Sequence, residues 1–191
     1  VHTVLDLACG TGTMTCLLAE AGYEMIGVDL SEDMLSEAAG KTVTPGKIPP
    51  IYLQQSMEEL DLYGTVEAAV CCLDSINYLT DARALKRALQ RLHLFVAPGG
   101  VFLFDVNTPC KLRSLDGQVF LDEREDLYCV WRADFDRRSR ICTYGMDIFE
   151  RQGTLWRRSL EEHREKAWEV EELKRFLTEA GFGRIRVWGD C

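Results

Sequence analysis

The chain has 191 residues, 47% of them apolar, and a formal net charge of −9. That length and apolar content suit one α/β domain with a full core, and no apolar run reaches the ~18 residues of a membrane span. An acidic chain lacks the basic face that a nucleic-acid groove needs, so neither a membrane nor a nucleic acid is expected as partner. The cysteines, Cys9, Cys16, Cys71, Cys72, Cys110, Cys129, Cys142 and Cys191, make no Cys-x-x-Cys pair and no Cys/His cluster with metal spacing. They read as free thiols of a reducing cytoplasm, and no metal site is expected.

The first element, Val4 to Cys9, reads as a buried strand. It breaks at Gly10-Thr11-Gly12 and runs into a helical pattern, Met14, Leu17, Leu18 and Ala21, closed by Gly22. A strand, a glycine turn and a helix in that order present bare N–H groups at a helix N-terminus, and glycine lets a ligand lie against the backbone. The next apolar run, Met25 to Val28, closes on Asp29. A carboxylate at the end of the second strand accepts both hydroxyls of a ribose, so the pattern asks for a nucleoside-containing cofactor. A dinucleotide turn prefers Gly-x-Gly-x-x-Gly, and its third glycine position holds Thr15 here. Asp6, just before the loop, favours a cation and opposes a pyrophosphate.

Asp6-Leu7-Ala8-Cys9-Gly10-Thr11-Gly12 resembles the first motif of the class I S-adenosylmethionine-dependent methyltransferases, many of which carry Gly at the Ala8 position. Asp29-Leu30-Ser31 followed by Met34-Leu35 resembles their second motif, with Ser31 as an N-cap and Glu32 and Asp33 in the first turn. The resemblance implies that Asp6, Ala8, Cys9, Gly10, Thr11, Gly12, Asp29, Leu30 and Met34 contact S-adenosylmethionine. The third strand, Ile51 to Gln54, leads to Ser56-Met57, where family members often place an Asp against the adenine amino group; a neutral Ser hydroxyl makes the weaker bond. Val66 to Leu73 is a continuous apolar run, fitting a central parallel strand. The Asp74-Ser75-Ile76-Asn77-Tyr78-Leu79 that follows resembles the Asp-Ser-x-Asn-Tyr-Leu of a group of small bacterial members, adding Leu73, Asp74 and Asn77 to the cofactor set.

Asp81 begins a long helix with Leu85, Leu89 and Leu92 inward and Arg83, Lys86, Arg87 and Arg91 on a solvated face. It stops at Pro98-Gly99-Gly100. Val101 to Asn107 is the fifth strand, with Asp105 and Asn107 on one face. From 113 to 168 the pattern turns to period two: Leu127, Cys129, Trp131, Ala133 and Phe135, then Cys142, Tyr144, Met146 and Ile148, then Trp156, Leu160 and Trp168 opposite Glu161 and His163. Glu169 to Ala180 reads as a helix and Arg184 to Trp188 as a final strand. The expected fold is α/β: a Rossmann-like, mostly parallel sheet with helices on both faces, plus an inserted antiparallel β-sheet. It forms a single domain, with 1–112 and 169–191 as core and 113–168 as insert. Further segments are expected beyond both ends. The insert's placement is similar to that in glycine and amino-sugar N-methyltransferases.

The function so implied is methyl transfer from S-adenosylmethionine to a small-molecule acceptor. The sulfonium already activates the methyl group, so the protein mainly aligns the reactants, an effect worth ~7–11 kcal/mol at best. Tyr78, Asn107 and His163, with Glu161, are candidates to hold the acceptor. An imidazole also serves as a base near neutral pH. The insert is either the acceptor's wall or a homodimer contact. Two rival readings stand beside this one. Ser56 suits a protein that binds the cofactor without transferring its methyl group, and Thr15 and Asp6 oppose a nicotinamide-dependent oxidoreductase.

Overall fold

The computed structural model describes residues 1–189, which pack as two compact units. One contains Val1–Ile76, Ala82–Val106 and Lys174–Arg186; the other contains Asn77–Asp81 and Asn107–Leu173, more chain than the 113–168 expected of an insert.

In the first unit, five strands form a parallel sheet: β1 (Thr3–Leu7), β2 (Glu24–Asp29), β3 (Ile51–Gln54), β4 (Val66–Cys71) and β5 (Val96–Phe104). Their order is β3-β2-β1-β4-β5. The order reverses between β1 and β4, and open α/β sheets bind ligands beyond the carboxyl ends at such a point. The helices are α1 (Thr13–Glu20), α2 (Glu32–Ala39) and α3 (Ala82–Phe95). Ser31 caps α2, its Oγ accepting from the Met34 N–H at 3.3 Å. Val4, Ala19 and Met25 form a buried cluster with Leu18, Tyr23, Val43 and Ala68 against it.

Several boundaries differ from expectation, and β5 ends at Phe104, short of the Asp105 and Asn107 expected on it. The helix before the fifth strand ends at Phe95, and β5 begins at Val96 rather than Val101. The ladder absorbs Pro98-Gly99-Gly100 as a bulge: Val66 faces Val96, and Ala68 faces Val101. Gly100 is required there, since a Cβ would lie 2.7 Å from the Glu67 carbonyl oxygen. The strand expected over 184–188 does not form. Arg184 takes φ +53°, which breaks the extended backbone at the first residue of the run.

In the second unit, Thr108 caps the short α4 (Pro109–Ser114), accepting from the Lys111 N–H at 3.2 Å. An antiparallel sheet follows: β6 (Val119–Glu123), β7 (Leu127–Asp136), β8 (Ile141–Gln152) and β9 (Leu155–Lys166), in that order. Three of these strands were expected from alternation; β6 was not. Leu112, Ala133, Phe135, Cys142 and Ala167 are its buried cluster. Register decides the faces. Met146 lies opposite Trp131 and Glu161, and Tyr144 opposite Ala133 and His163. The polar side of β9 therefore shares a face with the apolar side of β7 and β8, while Trp156 and Leu160 point the other way. Trp168, expected on the Trp156 side, lies past the end of β9 and donates its indole N–H to the Leu79 carbonyl at 3.2 Å. On the Leu160 face, the buried Asp147 carboxylate accepts from Arg132 at 2.5 Å and from Arg158 Nε at 2.7 Å. These two guanidiniums hold its carboxyl below the usual range. The last helix, α5 (Val170–Ala180), starts in this unit and from Lys174 on belongs to the first; its Leu173, Phe176 and Leu177 are buried.

Candidate active site

The loop after β1 is built from positive-φ residues: Ala8 at +62°, Gly10 at +54° and Gly12 at +73°. Gly12 is closely packed, and a Cβ there would meet Tyr52 Oη at 2.6 Å and Ala38 Cβ at 2.9 Å. At Gly10 a Cβ would meet nothing within 4 Å, so the loop's crest faces open space that a side chain would fill. The loop is tied to the end of β2. The Gly10 N–H donates to Asp29 Oδ2 at 2.7 Å, the Ser31 N–H to Asp29 Oδ1 at 2.9 Å, and the Cys9 N–H to the Val28 carbonyl at 3.0 Å. Each Asp29 oxygen keeps a further lone pair.

Asp6 is buried and accepts the Thr15 hydroxyl at 2.5 Å. Burial raises its pKa, against the lowering effect of that bond. Burial and the Asp6 and Asp29 carboxylates push the Cys9 thiol up to about 12, so it stays protonated at neutral pH. Lys41, which carried no sequence signal, donates to Thr13 at 2.9 Å and Thr11 at 3.3 Å. Ser56 precedes the short turn Met57–Glu59, and its side chain makes no capping bond. Leu73 and Asp74 follow β4 in left-handed conformation, φ +57° and +49°, with the Asp74 N–H on Asp105 Oδ2 at 3.0 Å. Leu30 and Leu73 are 70% and 82% exposed.

In the second unit the structure brings together Asn77, Tyr78, Asn107, Glu161, His163 and Glu165. Asn77 is fully buried. Its Nδ2 donates to the carbonyls of Asn107 at 3.0 Å and Lys166 at 2.8 Å, and its Oδ1 accepts from the Asn107 N–H at 3.0 Å. An amide so committed braces backbone. Asn107 Nδ2 donates to the buried Glu165 at 2.8 Å. The Tyr78 hydroxyl lies 3.3 Å from His163 Nδ1, and His163 Nε2 lies 3.3 Å from Glu161 Oε2. Glu165 lacked any signal in the sequence pattern.

A family profile described as "Methyltransferase domain" matches residues 4–100. The "Putative methyltransferase YqeM" of Bacillus subtilis (strain 168) is 34% identical over 189 residues, 98% of this chain and 76% of that protein. The crystal structure of an S-adenosylmethionine-dependent methyltransferase from Clostridium acetobutylicum ATCC 824 superposes with TM-score 0.84 at 31% identity, over 94% of this chain and 72% of that one. The chain belongs to the class I S-adenosylmethionine-dependent methyltransferases. The sugar N-methyltransferase KedS8 from Streptoalloteichus sp ATCC 53650 is similar over 94% of this chain and 71% of its own, with TM-score 0.79 at 26% identity.

S-adenosylmethionine is thus the methyltransferase's cofactor, and the residues present fit it. The carboxyl-terminal stretches of β1 and β2 and the residues just past β4 and β5 carry Asp6, Asp29, Asp74 and Asp105, an acidic set that suits a ligand with an ammonium and a sulfonium and no phosphate. The methyltransferase also exposes Leu30 and Leu73, apolar surface of the kind that lines small-molecule sites. Among the described residues no helix is long and apolar enough to cross a membrane, and no group of three or more His, Cys, Asp or Glu side chains is arranged to hold a metal ion.

Proposed function

We propose that residues 6–12, with Asp29, Leu30, Met34, Ser56, Met57, Leu73 and Asp74, hold the cofactor, and that Tyr78, Asn107 and His163 serve a small-molecule acceptor. The observation that carries the cofactor half is the Asp29 carboxylate. It is fixed by the Gly10 and Ser31 N–H groups beside an open loop crest, with lone pairs left for two ribose hydroxyls. The Ser56 hydroxyl, free of capping duty, is suited to the adenine amino group. Asp6 sets the charge beneath the loop and Asn77 braces the chain. For the acceptor half, similarity to a sugar N-methyltransferase supports a small molecule over a macromolecule.

The bound cofactor supplies an activated methyl group. The protein orients it and the nucleophile, excludes water, and receives any proton the nucleophile sheds. We place the enzyme in the cytoplasm, where the free thiols described at Cys9, Cys16, Cys71, Cys72, Cys110, Cys129 and Cys142 stay reduced. Light scattering decides whether the antiparallel sheet also joins two copies.

The test is a thermal-shift panel followed by transfer of labelled methyl into a deproteinised small-molecule extract. At 100 times its dissociation constant the cofactor adds ~2.7 kcal/mol, a melting shift of roughly 5–10 °C at this size. A shift with NAD and none with S-adenosylmethionine overturns the site. Label recovered only in macromolecules overturns the acceptor class.

A further inference from the structure

Tyr78, His163 and Glu161 are in line through a single imidazole. Tyr78 Oη lies 3.3 Å from Nδ1, Glu161 Oε2 lies 3.3 Å from Nε2, and the two rings meet edge to face at 5.8 Å and 87°. Both distances are long for hydrogen bonds, as catalytic contacts often are before a substrate tightens them. A neutral imidazole carries one N–H, and a carboxylate only accepts. With the proton on Nδ1, the Nε2 lone pair would face the Glu161 carboxylate, acceptor against acceptor. With the proton on Nε2, His163 donates to Glu161, and Nδ1 is left to accept from the Tyr78 hydroxyl. Glu161 therefore selects the tautomer, and the tautomer makes Tyr78 a donor along this line.

Register supports the same arrangement. His163 and Glu161 are two apart on β9, so they share a face, and they stand opposite Tyr144 and Met146 of β8. Tyr78 comes from another segment, the turn after β4, and is 48% exposed. Its ring is thus half in contact with the sheet and half open to a ligand.

We infer that Tyr78 Oη is the proton-accepting atom of the transfer, with His163 and Glu161 as the positioning residues that drain it. The acceptor is then a nucleophile that arrives with its proton, an ammonium or a hydroxyl, rather than a thioether or a tertiary amine. This rests on the reading that Tyr78 serves the acceptor. An ammonium first loses its proton, which frees its electron pair; that pair, or a hydroxyl's, then bonds the methyl carbon as the carbon–sulfur bond breaks and its pair stays on sulfur. The acceptor's proton passes to Tyr78 Oη, and Tyr78's own proton passes to His163 Nδ1. The positive charge lost from sulfur ends on an imidazolium held against Glu161, so charge and protons balance.

The relay is tested without an acceptor by nitrogen-15 NMR of the imidazoles at high pH. The chain has 3 histidines, so a His163→Gln spectrum assigns the signal. The expected result is the Nε2–H tautomer in the native chain, shifting toward Nδ1–H in Glu161→Gln, whose amide can donate to Nε2. A native Nδ1–H tautomer, or one indifferent to Glu161→Gln, overturns the relay. Tyr78→Phe is then expected to lower methyl transfer into the extract about a hundredfold or more while S-adenosylmethionine affinity holds. Transfer at the native rate overturns the role of Tyr78. Should the native chain transfer nothing, the proposed function fails, and the tautomer still decides the relay.

Discussion

The Thr15 hydroxyl donates to the Asp6 carboxylate at 2.5 Å, and both side chains are out of solvent. The position where a dinucleotide-binding turn needs a third glycine is thereby taken by a side chain that ties α1 to β1. Thr15→Val removes the donor at nearly constant shape and leaves a buried carboxylate alone, at a cost of about 1–3 kcal/mol. Burial already raises the Asp6 pKa in the fold. Losing the bond raises it further, so the penalty is full above these raised folded-state values and shrinks as pH falls through them. Melting curves at pH 7 and pH 4 check this. Adding Asp6→Asn to Thr15→Val should recover part of the loss, and equal penalties at both pH values would refute the account.

Ala8 holds φ +62°, a conformation that costs a residue with a Cβ ~1–2 kcal/mol. The family's common glycine at this position has that physical reason. Ala8→Gly should raise stability by about 0.5–1 kcal/mol once glycine's extra chain entropy is subtracted, with cofactor affinity kept. Denaturant midpoints measure the first and calorimetry the second. A lower midpoint shows that the Ala8 methyl packs better than its backbone strains.

Asp29→Ala should abolish most of the S-adenosylmethionine-induced melting shift. It should also lower the melting point of the free protein, because the Gly10 and Ser31 N–H groups lose their acceptor. The two effects separate by measuring both states. A full ligand shift on the alanine variant would remove Asp29 from the site.

Ser56→Ala should cost at most about 1.5 kcal/mol of cofactor affinity, the net value of one neutral hydrogen bond. A loss beyond a hundredfold by calorimetry would make Ser56 a dominant contact and contradict this.

Asp147 sits between Arg132 and Arg158, with its carboxyl held below the ordinary 3.8. A lowered folded-state pKa means stability that is present above the unfolded value and lost as pH falls through the folded one. The native chain should therefore outlast Asp147→Asn at neutral pH, and the gap should close under strong acid. Acid titrations followed by near-ultraviolet circular dichroism show the two curves converging; parallel curves down to the acid limit would exclude this ion cluster as the cause.

Much of the first unit was readable because its signals are local. Gly10 and Gly12 after an apolar run mark the loop, and Asp29 closes the next run, so spacing alone located the loop and the carboxylate that its Gly10 N–H bonds. The bulge in β5 was not readable, since the crowding at Gly100 involves the Glu67 carbonyl on another strand. β6 was missed because all five of its residues are exposed and show no inside–outside alternation. Arg184 to Trp188 alternate like a strand, yet the backbone turns at Arg184. The faces of β9 illustrate the general limit. Alternation says that Glu161 and His163 share a side, but only pairing says which side it is, and a one-residue slip would reverse it. Lys41 and Glu165 touch their partners across 28 and 58 residues of chain, and no spacing rule reaches so far.

The Asn77 amide has a consequence for the order in which the protein is made. It bonds the carbonyl of Lys166 across 89 residues and that of Asn107 across 30. Contacts of such separation pay their loop-closure entropy before they return anything. During synthesis the turn around Tyr78 leaves the ribosome long before β9 does, and chains fold as their segments emerge. The parallel sheet is complete once residue 104 is out, whereas Asn77 waits, its amide still bonded to water, until residue 166 arrives to complete the polar clasp. A ribosome stalled between these two points carries a chain with its parallel sheet complete and with Asn77 still lacking the Lys166 carbonyl.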